Sequence, residues 1–85
     1  MNYSFGELIL TIYTLVDGKS LSYGYSNNVM PDKTRRFQTL FRSKLASYID
    51  NHDEKDREFL SMCVEHINDI NNEEFSFLEK LKIKV

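Results

Sequence analysis

The run from Asp32 to Asp50, DKTRRFQTLFRSKLASYID, sets Phe37, Leu40, Phe41, Leu45, Tyr48 and Ile49 at steps of three and four. At about 100° per residue these six side chains fall within half of a helix circumference, the signature of an amphipathic helix. Pro31 and Asp32 suit its start, and Asn51 tolerates the left-handed conformation that often ends a helix. Each large apolar side chain contributes about 1.5–3 kcal/mol when fully buried, so this face offers more core than any other segment. The rest of the chain is expected to organise around it.

The same stretch carries Lys33, Arg35, Arg36, Arg42 and Lys44 against one acid, Asp32. Arg35 and Arg42 lie on one flank and Arg36 on the far side, while Lys33 and Lys44 sit at the edge of the apolar arc. They surround the helix and form no single stripe to follow a phosphate backbone. A small nucleic-acid-binding regulator using Arg35, Arg36 and Arg42 therefore stands as an alternative, behind a solvated helix surface.

Eighty-five residues form one domain, 1–85, with no room for two cores. Eleven aromatic residues argue against disorder. The single cysteine, Cys63, excludes an internal disulfide framework. Leu8 to Val16 is apolar but short and interrupted by threonine, with no basic leader before it, unlike a signal peptide or a membrane span. A cytoplasmic protein without membrane contact is expected.

Ahead of the central helix, Ser4 and Glu7 have the spacing of a capping box, with Tyr3 and Leu8 placed as a hydrophobic staple. Phe5, Leu8, Ile9, Ile12, Leu15 and Val16 form a helical stripe, and Gly18 sits where a terminal glycine belongs, predicting a helix over 5–17. The competing pattern is a β-hairpin at 9–25 turning on Asp17-Gly18. Lys19 to Met30 reads as a loop or short strand carrying Tyr23 and Tyr25, residues suited to a binding surface or to plugging the core.

A third helix is expected from Asp53, its N-cap, to Asn71-Asn72, burying Phe59, Leu60, Met62, Cys63, Val64, Ile67 and Ile70. A last short helix follows from Glu73 to about Glu79, with Phe75 and Leu78 inward. Lys80 to Val85 alternates charged and apolar residues and reads as a strand, able to pair with 20–25. The fold is thus mostly α, a compact domain of three to four helices with a short C-terminal strand; the alternative is α+β with the N-terminal hairpin.

Net charge is −2, but residues 32–48 carry +4 and residues 50–79 carry −8. Glu54, Glu58, Glu65 and Asp69 fall within about 60° on the third helix, a column of carboxylates opposite its apolar face. Any amphipathic helix needs a polar side, and that is the simpler account. The functional account is an acidic docking face for a basic partner. His52, Asp56, Cys63 and His66 share one side of this helix, but Phe59 and Ile67 crowd it and no second Cys or His pair closes a zinc shell.

Gly6, Gly18 and Gly24 are scattered, so no phosphate loop exists, and no acid/base or nucleophile cluster is visible. The residues point away from an enzyme and call for no cofactor. They favour a protein-binding module acting by stoichiometric occlusion: an inhibitor, an immunity-type protein or an antitoxin-like protein. Glu54, Glu58, Glu65 and Asp69, with Tyr23 and Tyr25, are the expected partner contacts. A homo-oligomeric adaptor, with a homodimer as its simplest form, is the remaining alternative.

Overall fold

The Ser4 hydroxyl accepts from the Glu7 N–H at 3.1 Å, and the Glu7 carboxylate accepts from the Ser4 N–H at 3.3 Å. This reciprocal cap satisfies two otherwise free donors and opens α1, Phe5–Tyr25, in a computed structural model that describes residues 2–85. Ile9, Ile12 and Val16 stack along its buried face. The predicted end at Gly18 and the hairpin at 9–25 are corrected here, and of the loop or strand expected at 19–30 only 26–30 lies outside the helix, as a loop. Gly18 does not take the left-handed backbone that would stop the helix. It only weakens the helix by about 1 kcal/mol relative to alanine, and tertiary contacts of the next turn outweigh that. Those contacts are Lys19 and Tyr23 reaching Glu73.

The central helix, α2, spans Asp32–Asn51. Asp32 is its first residue and bridges Arg35 at 2.6 Å, so it supports the first turn through its charge and not as a cap. His52, not Asn51, takes the left-handed position (φ 51°), donating its N–H to the Tyr48 carbonyl at 2.8 Å. Phe37 and Phe41 are fully buried, whereas Ile49 is 61% exposed at the far end of the predicted apolar face.

Asp53 caps α3, Glu54–Glu65, by accepting from the Lys55 N–H at 2.8 Å. The third helix is not continuous to Asn71. It breaks at His66 (φ −122°, ψ 38°) and resumes as α4, Ile67–Asn71. The His66 N–H is shared between the carbonyls of Met62 and Cys63, its Nδ1 donates to the Met62 carbonyl at 2.9 Å, and its ring stacks on Phe77 at 5.1 Å. Interaction with the following segment thus fixes the break.

A 3₁₀ helix, Ser76–Leu81, replaces the expected short helix from Glu73 to Glu79. The strand expected at 80–85 does not form, and no strand occurs among the described residues. Its intended partner, 20–25, lies within α1, so no edge was available to pair with. The alternation of Leu81, Ile83 and Val85 with lysines instead lays three apolar side chains against the core from partly buried positions.

Phe37 is the hub of that core. Its ring lies 4.7 Å from Phe75, 5.9 Å from Phe41, 6.3 Å from Phe77 and 6.4 Å from Phe59, joining α2, α3 and the C-terminal segment. Such aromatic contacts add about 0.5–1.5 kcal/mol per pair beyond area burial. No helix among the described residues is long and apolar enough to cross a membrane.

Candidate functional site

Four carboxylates are paired with the chain's own cations among the described residues. Asp17 on α1 accepts from Arg42 at 2.6 Å and from Gln38 at 3.1 Å, tying α1 to α2. Asp56 on α3 is buried, accepting from Ser47 at 2.5 Å, with the Lys44 ammonium 3.5 Å away. A buried carboxylate requires such compensation, because loss of hydration costs several kcal/mol. Asp32 pairs with Arg35 within α2.

Glu73 is the fourth. Its carboxylate accepts from Thr34 at 2.5 Å and from the Tyr23 hydroxyl at 2.7 Å, and lies 3.4 Å from the Lys19 ammonium. Burial pushes its pKa up, but the hydrogen bonds from Thr34 and Tyr23 and the charge of Lys19 outweigh that and hold it below the usual range. Conversely, the hydrogen bond to Glu73, with burial and the nearby negative charge, raises the Tyr23 pKa. Glu73 itself has a left-handed backbone (φ 59°), a cost tolerated where the side chain closes a network.

Glu54, Glu58 and Glu65 stand differently. All three are exposed on α3, and no Lys, Arg or His nitrogen among the described residues comes within 4.0 Å of them. Asp69 stands apart from this column, beyond the His66 break on α4. It accepts from the Ser76 hydroxyl at 3.0 Å and the Phe77 N–H at 2.8 Å, fastening the 3₁₀ helix. Tyr23 is engaged with Glu73, and Tyr25 projects into solvent at 86% exposure at the end of α1. Neither tyrosine hydrogen-bonds to the α3 carboxylates. Of the three arginines of the nucleic-acid alternative, Arg35 and Arg42 are held in ion pairs and Arg36 is in none among the described residues.

One surface went unnoticed in the sequence. A cleft of about 420 Å³ opens between α1 and α2, walled by Ile9, Tyr13, Leu45 and Tyr48 and rimmed by Leu10 and Ile49. Leu10 is 63% exposed and Ile49 61%, so two large apolar side chains flank an apolar hollow. At one end Arg57 donates to the Tyr48 hydroxyl at 2.7 Å and lies 4.3 Å over the Phe5 ring. Leu10 sits beside a stripe already assigned to the core, so only three-dimensional placement distinguished it.

Cys63 is fully buried, and burial pushes its thiol up to about 12. Its neighbour in spacing, His66, spends Nδ1 on a backbone carbonyl. No group of three or more His, Cys, Asp or Glu side chains converges in metal-binding geometry among the described residues. The chain matches no protein-family model, and no curated protein or solved structure is significantly similar to it.

Proposed function

We propose that this chain is a protein-binding module that occludes a basic partner stoichiometrically, in the manner of an inhibitor, immunity-type or antitoxin-like protein. The observation that carries the reading is a division among carboxylates. Asp17, Asp32, Asp56 and Glu73 are paired with the chain's own cations, whereas Glu54, Glu58 and Glu65 are left open on one side of α3.

Glu54 and Glu58 are four residues apart on a helix, where like charges oppose each other by a few tenths of a kcal/mol. A basic surface docking there relieves that repulsion. It is also steered in by the −8 charge carried by residues 50–79, so association is fast and weakens with salt.

The test is capture by the immobilised protein from its native host, comparing the wild-type chain with the E54K/E58K/E65K variant. The wild type is expected to retain a protein with a basic surface and release it as salt rises. The variant, still helical by circular dichroism, is expected to retain none. Equal capture by both chains refutes the reading.

A further inference from the structure

We infer that the cleft between α1 and α2 binds a free fatty acid of medium length, with the chain along the hollow and the carboxylate on Arg57. Apart from Gly6, every residue lining the cleft carries an apolar or aromatic side chain. The hydroxyls of Tyr13 and Tyr48 are the only polar side-chain atoms among them. The volume of about 420 Å³ is that of a small-molecule site, which is typically apolar with a few placed polar groups.

The two ends of the cleft differ in charge, and that difference selects the ligand. Tyr13 marks one end, where Arg42 lies 5.8 Å from its ring but is neutralised by Asp17 at 2.6 Å. Phe5 and Tyr48 mark the other end, two turns back along α1, with their rings edge to face at 6.4 Å. Arg57 stands there, 4.3 Å over the Phe5 ring. Asp53, Glu54 and Glu58 are its neighbours along the chain, yet no carboxylate oxygen among the described residues comes within 4.0 Å of its guanidinium.

This end is rich in donors and lacks acceptors. A guanidinium carries five N–H groups, and Arg57 spends one on the Tyr48 oxygen, at 2.7 Å. The others, and the Tyr48 O–H itself, meet no acceptor among the described residues. A planar carboxylate takes two guanidinium N–H groups side by side, and the half-buried position of Arg57 strengthens that pairing relative to open water. A neutral amphiphile leaves the charge unmatched, and a cationic one is repelled.

Dimensions set the length of the chain. Phe5 to Tyr13 covers about 12 Å of helix axis. With carbon–carbon bonds of about 1.5 Å, an extended zigzag of about ten carbons spans that distance. Leu10 and Ile49, both largely exposed on the rim, then lose contact with water against the methylenes.

Equilibrium dialysis of the purified chain against radiolabelled decanoate at pH 7 tests this. One molecule is expected per chain, with a Kd on the order of 10–100 µM. From hexanoate to decanoate, affinity is expected to rise about two- to fourfold per methylene. Unlabelled 1-decanol, with the same chain and no charge, is expected to displace the label at least tenfold less effectively than unlabelled decanoate. Arg57→Met, which keeps an unbranched stem over the Phe5 ring, is expected to weaken decanoate binding at least tenfold. Gly6→Leu provides a second variant, because Gly6 lines the cleft and a Cβ added there meets nothing within 4 Å. Its side chain enters the hollow from an open position, and the same tenfold loss is expected with helicity retained. The inference is overturned by no retention at about 1 mM decanoate. Equal displacement by 1-decanol, or decanoate binding unchanged in Gly6→Leu, also overturns it. The E54K/E58K/E65K variant is expected to bind decanoate at least as tightly as the wild type, so failure of the acidic-face reading is told apart from failure of this one.

Discussion

Tyr23 and Glu73, 50 residues apart in sequence, meet through a hydrogen bond of 2.7 Å that fastens the last turns of α1 to the segment after α4. Thr34 of α2 donates to the same carboxylate, so one side chain joins three parts of the fold. Glu73→Gln keeps the shape but removes the charge, and about 1–3 kcal/mol of stability should go with the charge-assisted hydrogen bonds. Because the folded-state pKa lies below the usual 4.5, the stabilisation is present above about pH 4.5 and is lost as pH falls through the folded value. Urea midpoints of the two chains should therefore differ at pH 7 and converge in acid. A gap that stays constant down to pH 3 contradicts this assignment.

Cys63 should resist alkylation. With no exposed surface and a thiol pKa of about 12, it offers almost no thiolate at pH 8. Labelling by a disulfide reagent should proceed only through opening of the domain, with a rate that follows the unfolded population as urea is added. Modification as fast as that of a small free thiol shows that the α3 core is open.

Gly18→Ala should stabilise the single chain by about 0.5–1 kcal/mol, since the position is helical and nothing opposes the added methyl group. The gain is to be measured by urea unfolding at pH 7. A loss of stability under those conditions contradicts helical geometry at this position.

Phe37→Ala should cost about 3–5 kcal/mol, because the ring is fully buried and packs with four other phenylalanines. In a domain of this size that approaches the whole stability, and the variant should be largely unfolded at 37 °C by circular dichroism. A cooperative transition shifted by only a few degrees shows that the core is not centred on this residue.

Local signals in the sequence were reliable where short-range chemistry decides. Ser4 and Glu7 form the box their spacing announces, Asp53 caps α3, and α2 ends within one residue of its predicted limit. The misreadings share a cause. Gly18 carries a local stop signal, but Glu73 holds the chain helical for two further turns, and that partner is 54 residues from Lys19. The break at His66 depends on Phe77, and the diversion of Asp69 depends on Ser76 and Phe77, again beyond any local pattern. Of the candidate surface, the openness of Glu54, Glu58 and Glu65 agrees with their helical phase. The apolar cleft was hidden because exposed Leu10 and buried Ile9 look alike as letters.

The central position of Phe37 also has a consequence for vectorial synthesis. Two of its ring neighbours, Phe75 and Phe77, arrive only after α1, α2 and α3 have been made. A nascent chain emerging from the ribosome would hold three helices around an unfilled aromatic socket until those residues clear the exit tunnel. The domain is built to close late, and the interval before closure is when it most needs protection from proteases and from its neighbours.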